Sequence, residues 1–227
     1  MGYKVVITGT TGMVGKGVLL ECMDHPSIEN ILILNRSSLG ISHPKVRELL
    51  IDDFFDLSTI SGELTGFDAC FFCLGITSLG QSEASYTKTT YDLTLNFADA
   101  FIDQNEKSIF CYVSGTGTDT SEKGRVMWAR VKGKTENALL RMPFKAAYMF
   151  RPGYIQPMKG IKSKTKWVQR MYNLFRPVYS ILKHFPGAAT NTSHMGLAMI
   201  NTLDGAYRKQ VLGNKEINEL ALCSTEN

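Results

Sequence analysis

The sequence predicts an α/β protein: a doubly wound parallel sheet with a small, mostly helical C-terminal cap. Three observations predict it. From residue 3 to about 150, short apolar or β-branched runs alternate with amphipathic stretches, the order that buries a parallel sheet between helices. Two of those runs, Asp68-Ala-Cys-Phe-Phe-Cys-Leu74 and Ser108-Ile-Phe-Cys-Tyr-Val113, are almost continuously apolar, as strands covered on both faces must be. The first strand runs straight into three glycines spaced three apart, Gly9, Gly12 and Gly15, and then into an apolar helix through Val18, Leu19, Leu20 and Met23.

That strand–glycine–helix order justifies the first elements, a strand over 3–8 and a helix over 13–24, and makes the fold Rossmann-like. A tight turn needs a residue without Cβ, and a pyrophosphate reaches the backbone only where no side chain intervenes. The third glycine lets helix and strand pack closely, with the diphosphate on the N–H groups of the helix start. Gly9, Thr11, Gly12, Met13, Val14 and Gly15 are therefore candidate cofactor-binding residues. The second strand, over 30–35, ends in Asn35-Arg36-Ser37-Ser38. A protein using NAD typically places an acidic residue at that point to hold the ribose, whereas arginine accommodates a 2′-phosphate. This run has no carboxylate, and a guanidinium beside two hydroxyls can hold a phosphate dianion, so NADP (NADPH) is expected over NAD. The plain alternative is a solvated turn arginine.

A third strand over 46–51 ends at Asp53-Phe54, placed to lie beside the adenine, and a turn follows near 58–64. The fourth strand, 68–73, ends at Cys73-Leu74-Gly75, which would present backbone to the ribose and nicotinamide side. A helix over 84–104, a strand over 108–113, a helix over 127–141 and a strand over 145–150 complete the alternation. After Arg151-Pro152-Gly153 it breaks, so residues 1–153 read as the dinucleotide-binding core and 154–227 as a substrate-side cap of the same domain.

Composition narrows the function classes. The chain's 44% hydrophobic and 20% charged residues fit a globular protein with a full core, and no apolar run approaches a membrane span. The N-terminus reads as the first strand with no signal peptide before it, and five cysteines, an odd number without framework spacing, point to a reduced, cytoplasmic setting. Cys70-Phe-Phe-Cys73 has the C-x-x-C spacing but lies along a buried strand, whereas redox work needs an accessible thiolate. Four scattered histidines give no metal site.

Taken in order, Thr8-Gly9-Thr10-Thr11-Gly12-Met13-Val14-Gly15, Asn35-Arg36, Asp53-Phe54, Cys73-Leu74-Gly75-Ile76-Thr77, Tyr112-Val113-Ser114, Val131-Lys132-Gly133 and Phe150-Arg151-Pro152-Gly153 carry a family resemblance. The chain resembles the atypical short-chain dehydrogenase/reductases of the NAD(P)-binding, epimerase-like superfamily, and within them the Tat-interacting-protein-like oxidoreductases. The resemblance covers residues 3 to about 153 well and the tail loosely. It implies binding of the cofactor also by Arg151, Pro152 and Gly153, and catalysis by a serine after the fifth strand with a Tyr-x-x-x-Lys on the next helix. Ser114 matches the serine that holds the substrate oxygen. Lys132 matches the lysine that binds the nicotinamide ribose and lowers the tyrosine pKa. The position matched to the tyrosine, however, is Trp128, the alternative being a core aromatic with the match off by one turn. Indole N–H only donates and does not shuttle a proton at neutral pH, so the family's tyrosine chemistry has no counterpart at this position. Tyr112 and Tyr148 lie on strands, at the wrong spacing to replace it.

From Asn137 to Leu203 there is no aspartate or glutamate, and Lys159, Lys162, Lys164, Lys166, Arg170, Arg176 and Lys183 crowd together. Trp167, Met171, Leu174 and Phe175 add an apolar helical face, so 159–183 reads either as a peripheral membrane or protein contact or as a solvated basic helix on the sheet. With a net charge of only +4, nucleic-acid binding has little support, and a homodimer is left open. The expected function is an NADP-binding oxidoreductase-like protein acting on a small carbonyl or alcohol substrate. The alternative is a non-catalytic NADPH-binding sensor or interaction module.

Overall fold

The computed structural model describes residues 2–161 and 187–223. It contains nine strands among the described residues: β1 (Tyr3–Thr8), β2 (Ile28–Asn35), β3 (Val46–Leu50), β4 (Ala69–Phe72), β5 (Ile109–Val113), β6 (Ala146–Arg151), β7 (Tyr154–Gln156), β8 (Ala189–Asn191) and β9 (Val211–Gly213). Seven form one sheet in the order β3-β2-β1-β4-β5-β6-β9, every neighbouring pair parallel, while β7 and β8 pair separately. The strand order reverses between β1 and β4. Carboxyl ends diverge there, and a crevice opens of the kind in which doubly wound proteins place ligands.

Side-chain alternation explains why both faces are covered. Along β1, Val5 and Ile7 face a cluster with Val18, Leu19 and Cys22 of α1 (Met13–Asp24), Met195 and Met199 of α5 (Thr192–Ile200), and Ile217 of α6 (Asn214–Leu222). Val6 faces the other way, into Phe97 and Phe101 of α3 (Leu93–Gln104) and Leu139 of α4 (Met127–Leu139). A 3₁₀ segment, Ser58–Leu64, closes that second layer with Ile60 and Leu64. The helix expected over 84–104 is α2 (Glu83–Thr87), a π turn at Lys88–Asp92, and α3. Such turns add a residue to the helix and often mark functional sites.

The tail contributes more regular structure than its sequence pattern shows. α5 lies against α1 at two glycines: a Cβ on Gly17 would sit 2.5 Å from Thr192 Cβ, and one on Gly196 2.7 Å from Glu21 Cγ. β9 extends the sheet beside β6, where Phe150 pairs with Leu212. Of the basic segment 159–183, Lys159 pairs with Glu21 and Asp24 at 2.8 Å each, and the segment beyond Ile161 lies outside the described residues. Among the described residues no helix is long and apolar enough to cross a membrane.

Candidate functional site

The glycine turn sits at the carboxyl end of β1, against the end of β4. Gly9 has φ +68°, and a Cβ there would lie 2.6 Å from the Cys73 carbonyl oxygen and 2.7 Å from the Leu74 nitrogen. A side chain at Gly9 is therefore excluded by backbone on both counts. A Cβ on Gly15 would overlap the Gly9 carbonyl, so the third glycine is needed for the helix to leave the turn so closely. Gly12 differs. It is exposed, its N–H donates to the Gly9 carbonyl at 2.9 Å, and a Cβ there would approach only that carbonyl, at 3.2 Å. It is also the N-cap of α1 and supplies no side-chain cap, so no side chain of its own covers the helix start at Met13 and Val14. Thr11 is half-buried beside them.

The turn after β2 is built from three strands' ends. Asn35 is buried. Its Oδ1 accepts from Thr10 Oγ1 of the glycine turn at 2.9 Å, and its Nδ2 donates to Glu48 Oε1 of β3 at 2.9 Å. Glu48 also accepts from Ser38 Oγ at 2.6 Å and from the Leu39 N–H at 3.0 Å. Burial works against its charge, but the hydrogen bonds from Ser38, Asn35 and Leu39 outweigh it and hold the carboxyl below its usual range. A carboxylate thus stands at the end of β2 after all, contributed from β3, and it takes the hydroxyl of Ser38. Arg36 and Ser37 remain exposed, and Arg36 has no hydrogen-bonding or ionic partner among the described residues.

Arg36 lines a cleft of about 210 Å³ with Asp52, Asp53, Leu74, Gly75 and Thr89. The cleft gathers residues from the ends of β2, β3 and β4 and from the π turn. Asp53 Oδ1 caps the Phe55 N–H at 2.8 Å. Phe54 also borders the cleft, but its ring is buried against Phe97, 6.4 Å between centroids, so it serves chiefly as core. Cys73 is half-buried and contributes its carbonyl to the Gly9 contact. The thiols of Cys70, Cys73 and Cys111 are all pushed up by burial, that of Cys111 to about 12, which leaves no activated thiolate in the C-x-x-C run.

On the far side of the crevice, β5 and α4 place the residues matched to catalysis. Lys132 Nζ donates to the Ser114 carbonyl at 2.7 Å and lies 5.9 Å from the Tyr112 ring centroid. Burial drives its pKa down to about 8, with Glu136, one turn on, pulling the other way. Ser114 Oγ donates to the Phe150 carbonyl at 3.1 Å. Trp128 lies one turn before Lys132, half-buried, its ring 3.4 Å from where a Cβ on Gly117 would stand. The phenols of Tyr112 and Tyr86, buried nearby, are both raised by burial, so neither is poised to move a proton near neutrality.

The β6 end is committed internally. Arg151 Nε is 3.1 Å from both carboxylate oxygens of fully buried Glu136, its Nη2 completes that ion pair, and the same nitrogen donates to Thr120 Oγ1 at 2.7 Å. The Pro152 carbonyl accepts from the Thr116 N–H at 2.9 Å, and the Gly153 N–H donates to Asn214 Oδ1 at 2.9 Å. Sequence reasoning singled out these three as ligands; in the structure they tie β6 to α4, the β5–α4 loop and α6. Thr10 and Glu48 were not among the expected site residues, because their contacts join three separate strands.

The strand order and the glycine turn at its reversal make a Rossmann-like, doubly wound α/β fold. No protein-family model matches the chain. Curated relatives do. The chain is 26% identical over 206 residues to the protein fmp52, mitochondrial, of Emericella nidulans, covering 87% of this chain and 86% of that one. It is 24% identical over 222 residues to Protein HTATIP2 of Rattus norvegicus, covering 96% and 88%. Among solved structures, a Saccharomyces cerevisiae short-chain dehydrogenase/reductase matches with TM-score 0.66 at 9% identity, covering 94% of this chain and 96% of that one. A Burkholderia cenocepacia short-chain dehydrogenase in complex with NADP matches with TM-score 0.65 at 14% identity, covering 96% and 92%. The fold is that of these dehydrogenases, and the sequence relatives agree with the resemblance carried by the motifs. The fungal relative's name places that protein in mitochondria, which does not match a purely cytoplasmic expectation for this chain.

Proposed function

We propose that the chain binds NADP(H) along the carboxyl edge of the sheet and acts as an oxidoreductase on a small carbonyl or alcohol. The observation that carries this reading is the cradle at Gly9, Gly12 and Gly15, where backbone stands in place of side chains beside a cleft lined by Arg36, which is unpaired among the described residues. The turn and the start of α1 would hold the diphosphate, Arg36 and Ser37 the 2′-phosphate, Asp53 the adenine side, and Leu74-Gly75 the nicotinamide side. The cofactor, when bound, supplies or accepts hydride. Lys132 is a cation below about pH 8, held on the Ser114 carbonyl. It would bind the nicotinamide ribose, and Ser114 would turn its hydroxyl from Phe150 to orient the substrate oxygen.

A second reading, a non-catalytic NADPH sensor or interaction module, is supported by Trp128 standing one turn before Lys132, where the resemblance expects the tyrosine, and by the burial that raises the pKa values of Tyr86 and Tyr112. Calorimetry with NADPH and NADH, followed by turnover of NADPH with carbonyl compounds, separates the two readings. Binding without consumption supports the sensor. Charge-assisted bonds to phosphate contribute about 1.5–3 kcal/mol, so NADPH should bind roughly tenfold or more tightly than NADH, and Arg36→Ala should narrow that gap. Equal affinities for the two cofactors would sink the NADP assignment.

A further inference from the structure

The turn that carries Arg36 has an organiser that contacts no part of the cleft. Glu48, on β3 in register with Ile33 of β2, takes donors from the first, fourth and fifth residues of the run Asn35–Leu39. Asn35, the first, is in turn fixed by Thr10 of the glycine turn. Ser38 Oγ, once it has donated to Glu48, accepts the Gly40 N–H at 3.1 Å, and Gly40 takes φ +64°. The chain of bonds is continuous: glycine turn, Asn35, Glu48, Ser38, Gly40. Arg36 and Ser37 are the two residues of the turn that no bond of this chain reaches, and Arg36 is the one that faces the cleft.

We infer that Glu48 is a positioning residue for cofactor discrimination: it clamps the turn after β2 so that Arg36 and Ser37 alone are presented to the 2′-phosphate. The inference rests on the NADP-binding reading and extends it to a residue outside the cleft. A carboxylate near a phosphate site would ordinarily repel the dianion. Here its oxygens are filled by three donors, which offsets that repulsion and leaves its structural effect dominant. Glutamine at this position keeps the size and can still accept from Asn35 and Leu39, but its amide nitrogen faces Ser38 Oγ and it carries no charge, so the clamp loses its charge-assisted bonds without a cavity forming.

The test is calorimetry with NADPH and with NADH on the wild type, Glu48→Gln, Arg36→Ala and the double variant, with melting temperatures recorded alongside. Glu48→Gln is expected to weaken NADPH about tenfold and to leave NADH within about twofold, since removing one charge-assisted anchor acts on the phosphate contact alone. In the Arg36→Ala background the same change should have little further effect on NADPH, because coupled residues are not additive. Ser38→Ala, at an exposed position that does not threaten folding, should move the NADPH-to-NADH ratio the same way by about threefold. An unchanged or increased NADPH preference in Glu48→Gln, or additivity with Arg36→Ala, overturns the inference. So does equal weakening of both cofactors. A wild type that binds neither nucleotide removes the NADP reading itself, and the inference with it. One that binds both while the ratio stays fixed in the variants removes the inference alone.

Discussion

On the proposed reading, Trp128 decides what chemistry the site can do. Its indole stands on the face of α4 that carries Lys132, and the buried phenols of Tyr86 and Tyr112 are raised away from neutrality. A positioned acid or base typically contributes about 10²–10⁴-fold, so the wild type should reduce generic carbonyl compounds slowly or not at all. Trp128→Tyr should raise NADPH-dependent turnover without improving cofactor affinity. Brisk wild-type reduction that Trp128→Phe leaves unchanged is the contrary result, since the proton donor would then lie elsewhere. Lys132 supplies a second residue-scale expectation. Its amine is lowered to about 8 by burial, so it is charged below that pH and neutral above it. If the cation holds the cofactor ribose, NADPH affinity should be flat below about pH 8 and fall as pH rises past it. Lys132→Arg, whose guanidinium stays charged to pH above about 12, should abolish the fall. A fall that persists in Lys132→Arg would assign it to another group.

At the scale of elements, the three glycines of the turn separate into two kinds. Gly9 and Gly15 are required by the protein's own backbone, whereas Gly12 meets only one carbonyl, at 3.2 Å. A residue forced into the left-handed region costs about 1–2 kcal/mol before any clash is added, so Gly9→Ala should lower the melting temperature as well as cofactor affinity. Gly12→Val should keep its melting profile and lose NADPH binding. Normal binding by Gly12→Val would move the ligand away from the turn. The turn was legible in the sequence because its parts are consecutive: strand, glycines and helix follow one another within residues 3–24. The six strands through β6 were legible for a similar reason, all but β3 (Val46-Arg-Glu-Leu-Leu50) being local runs rich in apolar or β-branched residues. What escaped the sequence is non-local or short. Glu48 of β3 reaches Asn35 of neighbouring β2, Arg151 of β6 finds Glu136 of α4, and β9 is three residues long. The π turn at Lys88–Asp92 interrupts a helix whose apolar spacing gives no sign of it.

For the whole molecule, the question is whether residues beyond Gly153 are an addition to the nucleotide-binding fold or part of its core. Met195, Met199, Leu203, Leu212, Ile217 and Leu220 are all nearly fully buried, and they cover Cys111, Tyr148 and Phe150 on one face of β5 and β6. The glycine contacts of Gly17 and Gly196 bring α5 closer to α1 than side chains would allow. Burying each large apolar side chain contributes about 1.5–3 kcal/mol, and a whole domain is stable by only about 5–15 kcal/mol. Losing six such contacts is comparable to that whole margin even after the compactness of real unfolded chains is allowed for. A chain ending at residue 153 should therefore show no cooperative thermal transition and bind no NADPH, although it keeps the entire glycine turn and Arg36. Circular dichroism melting of that fragment beside the full chain checks this. A sigmoidal transition with retained NADPH binding would show that 1–153 folds alone and that the helices after it are a true cap. The opposite result would mean that the two halves share one core and that the fold closes only when α5, β9 and α6 dock.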